Sequence, residues 1–309
     1  MKKIAMIMAM LLLLAGCAAR GPESRTVYAM DTMMDLSVWG EDQAVAADAL
    51  QTLIRELEER WSATDPGSVL SQMNEDEAVL NWEDRVFLEQ VEALRQRTDG
   101  AFDPMLHNAV SQWGFMGGEY RVPSQKELEA ALAEKKWNLG AVVKGYTGRR
   151  AAQLLQTLNV DRAILNLGGN VQTYGQKADG GPWIIGIQNP KGGNYVGTVS
   201  VSGTMAVVTS GDYQRYFEKD GVRYHHILDP KTGMPAENGL ASVTVICKDG
   251  VVADALSTAM YVMGLERASE FWAESDDFEA VFIDREGKIY ATEGANLSGC
   301  EFEVIRREN

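Results

Sequence analysis

Histidine and cysteine are both scarce, with 3 of each among 309 residues. His107, His225 and His226 have no zinc-like spacing, and Cys247 and Cys300 fall outside any ligand-like pattern, so no thiolate or imidazole metal cluster can be read. In an extended segment His225 and His226 would point to opposite faces, so at most one of them faces a given site. No Gly-x-Ser-x-Gly elbow, Walker-type phosphate loop or Gly-x-Gly-x-x-Gly fingerprint occurs. Hydrolase, P-loop and Rossmann readings therefore lose their usual support. Positive charge is also short, 29 Lys and Arg against 44 Asp and Glu, for a net charge of −15. Such a body is repelled by nucleic acid and by anionic lipid.

What is present begins with a leader. Lys2 and Lys3 precede the apolar run Ile4 to Leu14, which is too short to span a bilayer and reads as a secretory signal. Leu14-Ala15-Gly16-Cys17 then resembles the bacterial lipobox, in which the cysteine receives lipid and becomes the first residue. The expectation is a signal peptide over 1–17, a tether over 18–26 and one folded domain over 27–309, lipid-anchored through Cys17 on the extracytoplasmic face of the cell membrane. Loss of residues 1–16 removes two lysines and no acid, taking the charge from −15 to −17. The anchor, not surface charge, would hold such a protein to a membrane. An oxidising compartment allows a Cys247–Cys300 disulfide without implying one.

The remaining sequence is 45% hydrophobic and 24% charged over the whole chain, enough apolar residue to bury a core rather than stay disordered. Ala46, Leu50, Leu53, Ile54, Leu57 and Trp61 recur at helical steps and predict an amphipathic helix over 42–61. Further helices are predicted over 83–97, from a Ser124/Glu127 capping box to about Lys136, and over 145–158. After Asn159 short β-type runs take over: 163–167, 183–187, 197–201, 206–209, 222–227 and 242–246. Helices over 254–263 and 266–274 and a hairpin of 278–283 with 288–292 close the body. An α+β fold of mixed sheet with packed helices, in a single domain, fits this order.

The polar positions that stand out are Thr98 to Pro104, Lys144-Gly145-Tyr146, Gly168-Gly169-Asn170, Thr209 to Tyr213, His225 to Gly233, and Asp254 with Thr258. Asp254 and Thr258 are one helical turn apart, so their oxygens can share a face and suit a hard cation such as Mg²⁺. Equally, Asp254 could cap its helix and Thr258 could bond back to the preceding turn.

Taken in order, these segments resemble the FAD:protein FMN transferases of the ApbE family, from about Val27 to Thr292. Met30-Asp31-Thr32 is similar to the family's opening Met-Gly-Thr. Ser68-Val69-Leu70-Ser71 with Asn74 is similar to its Ser-x-Leu-Ser-x-x-Asn stretch, and Thr98 to Pro104 resembles its Thr-Asp-Gly-Ala-Phe-Asp-Pro element. Leu139 to Tyr146, Gly168 to Asn170, Thr209 to Tyr213, His226 to Gly233 and Ala253 to Ala259 follow in the family's order. The resemblance implies that Met30, Ala101, Phe102, Asp103, Gly140, Tyr146 and the backbone near Leu228 line an FAD site. It implies that the Val143 carbonyl, Asp254, Thr258 and Ser257 hold Mg²⁺, and that His226 orients or deprotonates an acceptor hydroxyl or packs beside the flavin. The implied reaction is Mg²⁺-dependent transfer of FMN from FAD to a threonine or serine of an acceptor protein, with AMP leaving. Membrane redox subunits are the acceptors it suggests. Two alternatives keep the flavin site: water as acceptor, making an FAD pyrophosphatase, or a lipoprotein that binds flavin without chemistry. Asn138, Arg149 and Thr64 depart from the family's usual aspartate, acid and aromatic residue, so stacking on the flavin at Thr64 is expected to be weaker or to be supplied by Trp61.

Overall fold

Leu240–Cys247 is buried at all of its positions, the signature of a strand covered on both faces. The computed structural model describes residues 21–307 and shows what supplies the two covers. The expected leader and Cys17 lie outside the described residues.

The central layer is a nine-stranded sheet. In spatial order it runs β1 (Glu23–Ala29), β2 (Thr32–Gly40), β3 (Val160–Asn166), β4 (Asn170–Tyr174), β7 (Ala206–Gly211), β10 (Leu240–Cys247), β11 (Phe278–Asp284), β12 (Ile289–Thr292) and β14 (Glu303–Ile305). All neighbours are antiparallel except the pair β12 and β14. One face carries α1 (Gln43–Trp61), α6 (Val143–Leu155) and α7 (Gly250–Met263). There Leu50 and Ile54 of α1 pack on Leu36, Val38 and Leu165, as the helical spacing predicts. The other face is covered by a three-stranded sheet of β13 (Leu297–Ser298), β6 (Tyr195–Val201) and β5 (Trp183–Gln188). Its Trp183, Ile185, Val199 and Val201 meet Val207, Ile246 and Val281. Two dry layers thus sandwich β10, and the α+β expectation holds. A separate two-stranded ribbon, β8 (Tyr216–Lys219) with β9 (Val222–His225), projects beside the sheet without joining it. Among the described residues no helix is long and apolar enough to cross a membrane.

The remaining helices are α2 (Val69–Asn74), α3 (Trp82–Arg97), α4 (His107–Gln112), α5 (Gln125–Ala133) and α8 (Leu265–Ala273). The Ser124/Glu127 capping box opens α5 as expected. A second box, Asn81 with Asp84, opens α3, and Arg60 of α1 donates to the buried Asp84 at 2.7 Å. Several boundaries differ from the sequence reading. α5 stops at Ala133 instead of near Lys136, because Lys136 bridges to Leu106 and the Trp137 amide donates to Asn74 Oδ1 at 2.6 Å. β1 begins at Glu23, inside the segment expected to be a tether, since its backbone pairs with β2 from Val38 to Thr32. β1, β2, β4, β8, β13, β14 and the short helices α2 and α4 fall outside the elements that the sequence reading names, and Cys247 and Cys300 are free thiols.

The two helices that matter most for the site cross almost in backbone contact. A Cβ at Gly145 would overlap the Gly250 carbonyl, and one at Gly250 would overlap the Gly145 carbonyl. Only glycine allows this approach of α6 to α7. In an open helix Gly→Ala stabilises by roughly 1 kcal/mol. For Gly145→Ala the sign reverses, and overpacking is expected to cost about 1–3 kcal/mol, read as a lowered urea midpoint at unchanged slope.

Candidate active site

A cavity of about 730 Å³ opens between the start of α6, the ends of β4 and β7, the β1–β2 turn and the root of the β8–β9 ribbon. Its size is that of a small-molecule site. Met30, Ala101, Phe102, Asp103, Gly140, Val143, His226, Leu228, Asp254 and Thr258, scattered over 229 positions of sequence from first to last, all line it.

Met30 sits at the β1–β2 turn with φ of 49°, followed by Asp31 at 58°. Left-handed backbone is costly for a methionine and persists where surroundings enforce it. Here Glu58 of α1 accepts from the Met30 amide at 2.6 Å and ties the turn to the helix. Asp103 is also fixed: its Oδ1 accepts from the Met105 amide at 2.8 Å, and Arg95 and Lys135 approach to 3.4 Å.

Asp254 is 4% exposed. It does not cap α7, because Asp249 does so by accepting from the Val251 amide at 2.8 Å. Instead its Oδ2 accepts from the Gly145 amide at 2.8 Å, across the glycine crossing. Burial pushes the Asp254 carboxyl up, opposed by the Lys144 charge, the Gly145 amide and the Asn170 side chain. Asn170 approaches too loosely to close a hydrogen bond, since its buried Nδ2 has no partner. Thr258 shares a hydrogen bond with Ser210 at 3.2 Å rather than bonding back along α7. The Thr147 hydroxyl donates to the Val143 carbonyl at 2.8 Å, and Val143 lines the cavity at the start of α6. Carboxylate, hydroxyl and carbonyl oxygens form a donor set for a hard divalent cation that keeps waters and substrate phosphates in its shell. A buried carboxylate destabilised by its own desolvation fits a cation as partner.

Two expected residues do not reach the cavity. Ser257 is fully buried, with its hydroxyl taken by the Asp254 carbonyl at 2.9 Å and by Ser210 at 2.8 Å, so it braces Asp254 and Ser210 from behind. Tyr146 lies under the wall, stacked on Phe87 at 3.9 Å between centroids, and its hydroxyl accepts from Arg150 at 2.9 Å. Its ring belongs to the core between α6 and α3.

The two histidines diverge as alternation predicts. His225 turns into the core edge-on to Tyr261, while His226 faces the cavity. His226 is half-buried by area and has little exposure beyond the cavity itself. Its amide and its Nδ1 both lie 3.1 Å from the Arg215 carbonyl. A carbonyl only accepts, so Nδ1 carries the proton and Nε2 is left as the acceptor. Desolvation, then the charges of Lys144 and Arg215, hold the imidazole down to about 3, so it is neutral at physiological pH. Arg215 in turn donates to the Phe115 carbonyl at 2.9 Å and to Asp31 at 3.1 Å, closing the mouth. Arg215, Glu58 and Phe115 carried no signal in the sequence, since each acts through a fold-dependent contact.

Residues 30–282 match the model of the ApbE family. The chain belongs to the ApbE family. It is 31% identical to the FAD:protein FMN transferase of Vibrio cholerae, spanning 89% of this chain and 92% of that protein. Against the Treponema pallidum protein of the same name the identity is 30%, over 88% and 87%. The ApbE protein of Thermotoga maritima superposes with a TM-score of 0.82 at 32% identity, covering 88% of this chain and 97% of that structure. This ApbE member tolerates its departures locally. Asn138 Oδ1 still accepts from the Gly140 amide at 2.9 Å, and Arg149 pairs with Asp249 at 3.3 Å.

His225 is 1% exposed, and burial followed by the Arg285 charge lowers it to about 4. The unfolded chain protonates this residue near pH 6.5, the native state only near 4. Stability is therefore expected to fall as pH drops from about 6.5 to about 4, by at most roughly 1.4 kcal/mol per pH unit from this residue. Urea unfolding of wild type and His225→Leu at pH 7, 6 and 5 checks this: the variant should lose that share of the slope.

Proposed function

We propose that the protein is a Mg²⁺-dependent FMN transferase that cleaves FAD and attaches the FMN half to a threonine or serine of an acceptor protein. The observation that carries this reading is the convergence of Asp254, Thr258 and the Val143 carbonyl with the neutral His226 on one cavity of dinucleotide size. The names of the relatives support the same activity. Asp254, Thr258 and Val143 would hold Mg²⁺, which when bound draws charge from the two phosphates of FAD.

The chain's own residues do the rest by position. Met30, Ala101 to Asp103, Gly140 and Leu228 form the walls against which the flavin half would lie. The acceptor hydroxyl oxygen attacks the flavin-side phosphorus and the bond from that phosphorus to the AMP oxygen breaks. The hydroxyl proton passes to His226 Nε2, and AMP departs. An imidazole held near 3 is by itself a weak base. Two phosphates entering beside it bring negative charge, which favours the imidazolium and raises its basicity as substrate binds.

The lipobox-like Leu14 to Cys17 supports a lipid anchor on the extracytoplasmic face, where membrane redox subunits would be the acceptors. Mass spectrometry of a candidate acceptor domain, after incubation with the mature protein, FAD and Mg²⁺, tests the activity. One FMN is expected on a threonine or serine, lost with chelator and with Asp254→Ala. FMN and AMP released without modification would reassign the protein to hydrolysis, and intact FAD would defeat both. His226→Ala should slow transfer by about 10²–10⁴-fold while FAD binding changes only a few-fold, measured by single-turnover kinetics and flavin fluorescence.

A further inference from the structure

An acidic chain that takes up a doubly charged diphosphate needs positive charge aimed at it. Asp254, on the same wall, makes that need greater. Two cations line the cavity, Lys144 and Arg215. Arg215 is committed to Asp31 and to the Phe115 carbonyl. Lys144 is different: among the described residues it is in none of the ion pairs and makes no side-chain hydrogen bond. It follows Val143 at the start of α6, a 13-residue helix whose N-terminus has no side-chain cap, so the positive end of the helix dipole meets the same space. Asp254 and His226 line the same cavity as Lys144, and its charge acts on both.

Asn170 supplies an independent observation. It is 3% exposed, lines the cavity at the head of β4, and its buried Nδ2 has no hydrogen-bond partner. A buried donor left unsatisfied is destabilising and persists where a ligand supplies the acceptor.

We propose that Lys144 and Asn170 are the protein's own grip on the diphosphate of the substrate, the ammonium and the amide donating to phosphate oxygens beside Asp254 and Thr258. This rests on the reading of FAD as substrate for its setting, but the site it names is one for a diphosphate. The Lys144 charge serves as a point cation where negative charge accumulates on the phosphoryl group in transit, and Asn170 fixes the orientation of that group.

The test is titration of full-length mature protein, with Mg²⁺ and with chelator, using FAD, ADP and riboflavin as separate probes. The variants are Lys144→Met, Lys144→Arg and Asn170→Leu, each first shown to unfold at the wild-type urea midpoint or within a few tenths molar of it. Affinity for FAD and for ADP should fall at least 10-fold in Lys144→Met and about 3- to 10-fold in Asn170→Leu. Riboflavin, which has no phosphate, should bind within twofold of wild type, and Lys144→Arg should keep most of the ADP affinity. Equal losses for riboflavin and FAD would mean a damaged cavity and overturn the proposal, as would unchanged ADP binding in both neutral variants. Wild type that binds ADP but not riboflavin would sink the flavin reading and leave this grip standing. Wild type that does not bind ADP at all would overturn the grip itself.

Discussion

The site hangs on one steric fact, the near-contact of α6 with α7 at Gly145 and Gly250. Because no side chain separates the helices, the Gly145 amide can reach the Asp254 carboxylate. The same crossing brings the Val143 carbonyl at the head of α6 to the wall that carries Thr258. Three oxygen donors, one backbone carbonyl and two side chains, thereby come together from two helices 111 positions apart in sequence, counted from Val143 to Asp254. Backbone packing of this kind tolerates little drift, because protein interiors are close-packed and transmit strain.

Around that crossing the cavity is arranged by charge. Asp254 is buried where its own charge is disfavoured, and Lys144 stands by it without a carboxylate of its own. His226 is kept neutral by desolvation and by the same lysine, with its proton fixed on Nδ1 by the Arg215 carbonyl. Each group is held against its preference by its surroundings, as is common at functional sites. Stability and function pull apart here, since an apolar replacement at any of these positions would relieve a cost to the folded state.

The sequence carried most of the architecture because most of its elements obey a local period. Leu50, Ile54 and Leu57 of α1 and the Ser124/Glu127 box could be read from spacing alone, and alternation was enough to put His225 and His226 on opposite faces, while the choice of His226 for the site came from the family resemblance. The resemblance gathered residues that no period connects, such as Met30 with Asp254. It also named Tyr146 and Ser257, which the fold sets behind the cavity wall, Tyr146 stacked on Phe87 and Ser257 bonded to Ser210. The ends of α5 and α7 were misjudged for a different reason: a long-range bond from Asn74 stops one and a cap by Asp249 starts the other. Arg215, Glu58 and the orphan amide of Asn170 were invisible because their meaning lies in partners, or the want of one, that only the fold reveals.

The two sides of the cavity are built on scaffolds of unequal strength. Asp254, Thr258 and Val143 stand on helices locked to the nine-stranded sheet, so their amides open to solvent only when much of the molecule unfolds. His226 and Arg215 stand at the foot of a two-stranded ribbon that shares no ladder with that sheet, and a lone ribbon is marginal by itself. Local opening can therefore loosen the histidine wall while the oxygen-donor wall stays closed. A rigid floor beneath a yielding rim lets one molecule hold a small ligand in fixed register and still adapt its entrance to the contour of a much larger partner.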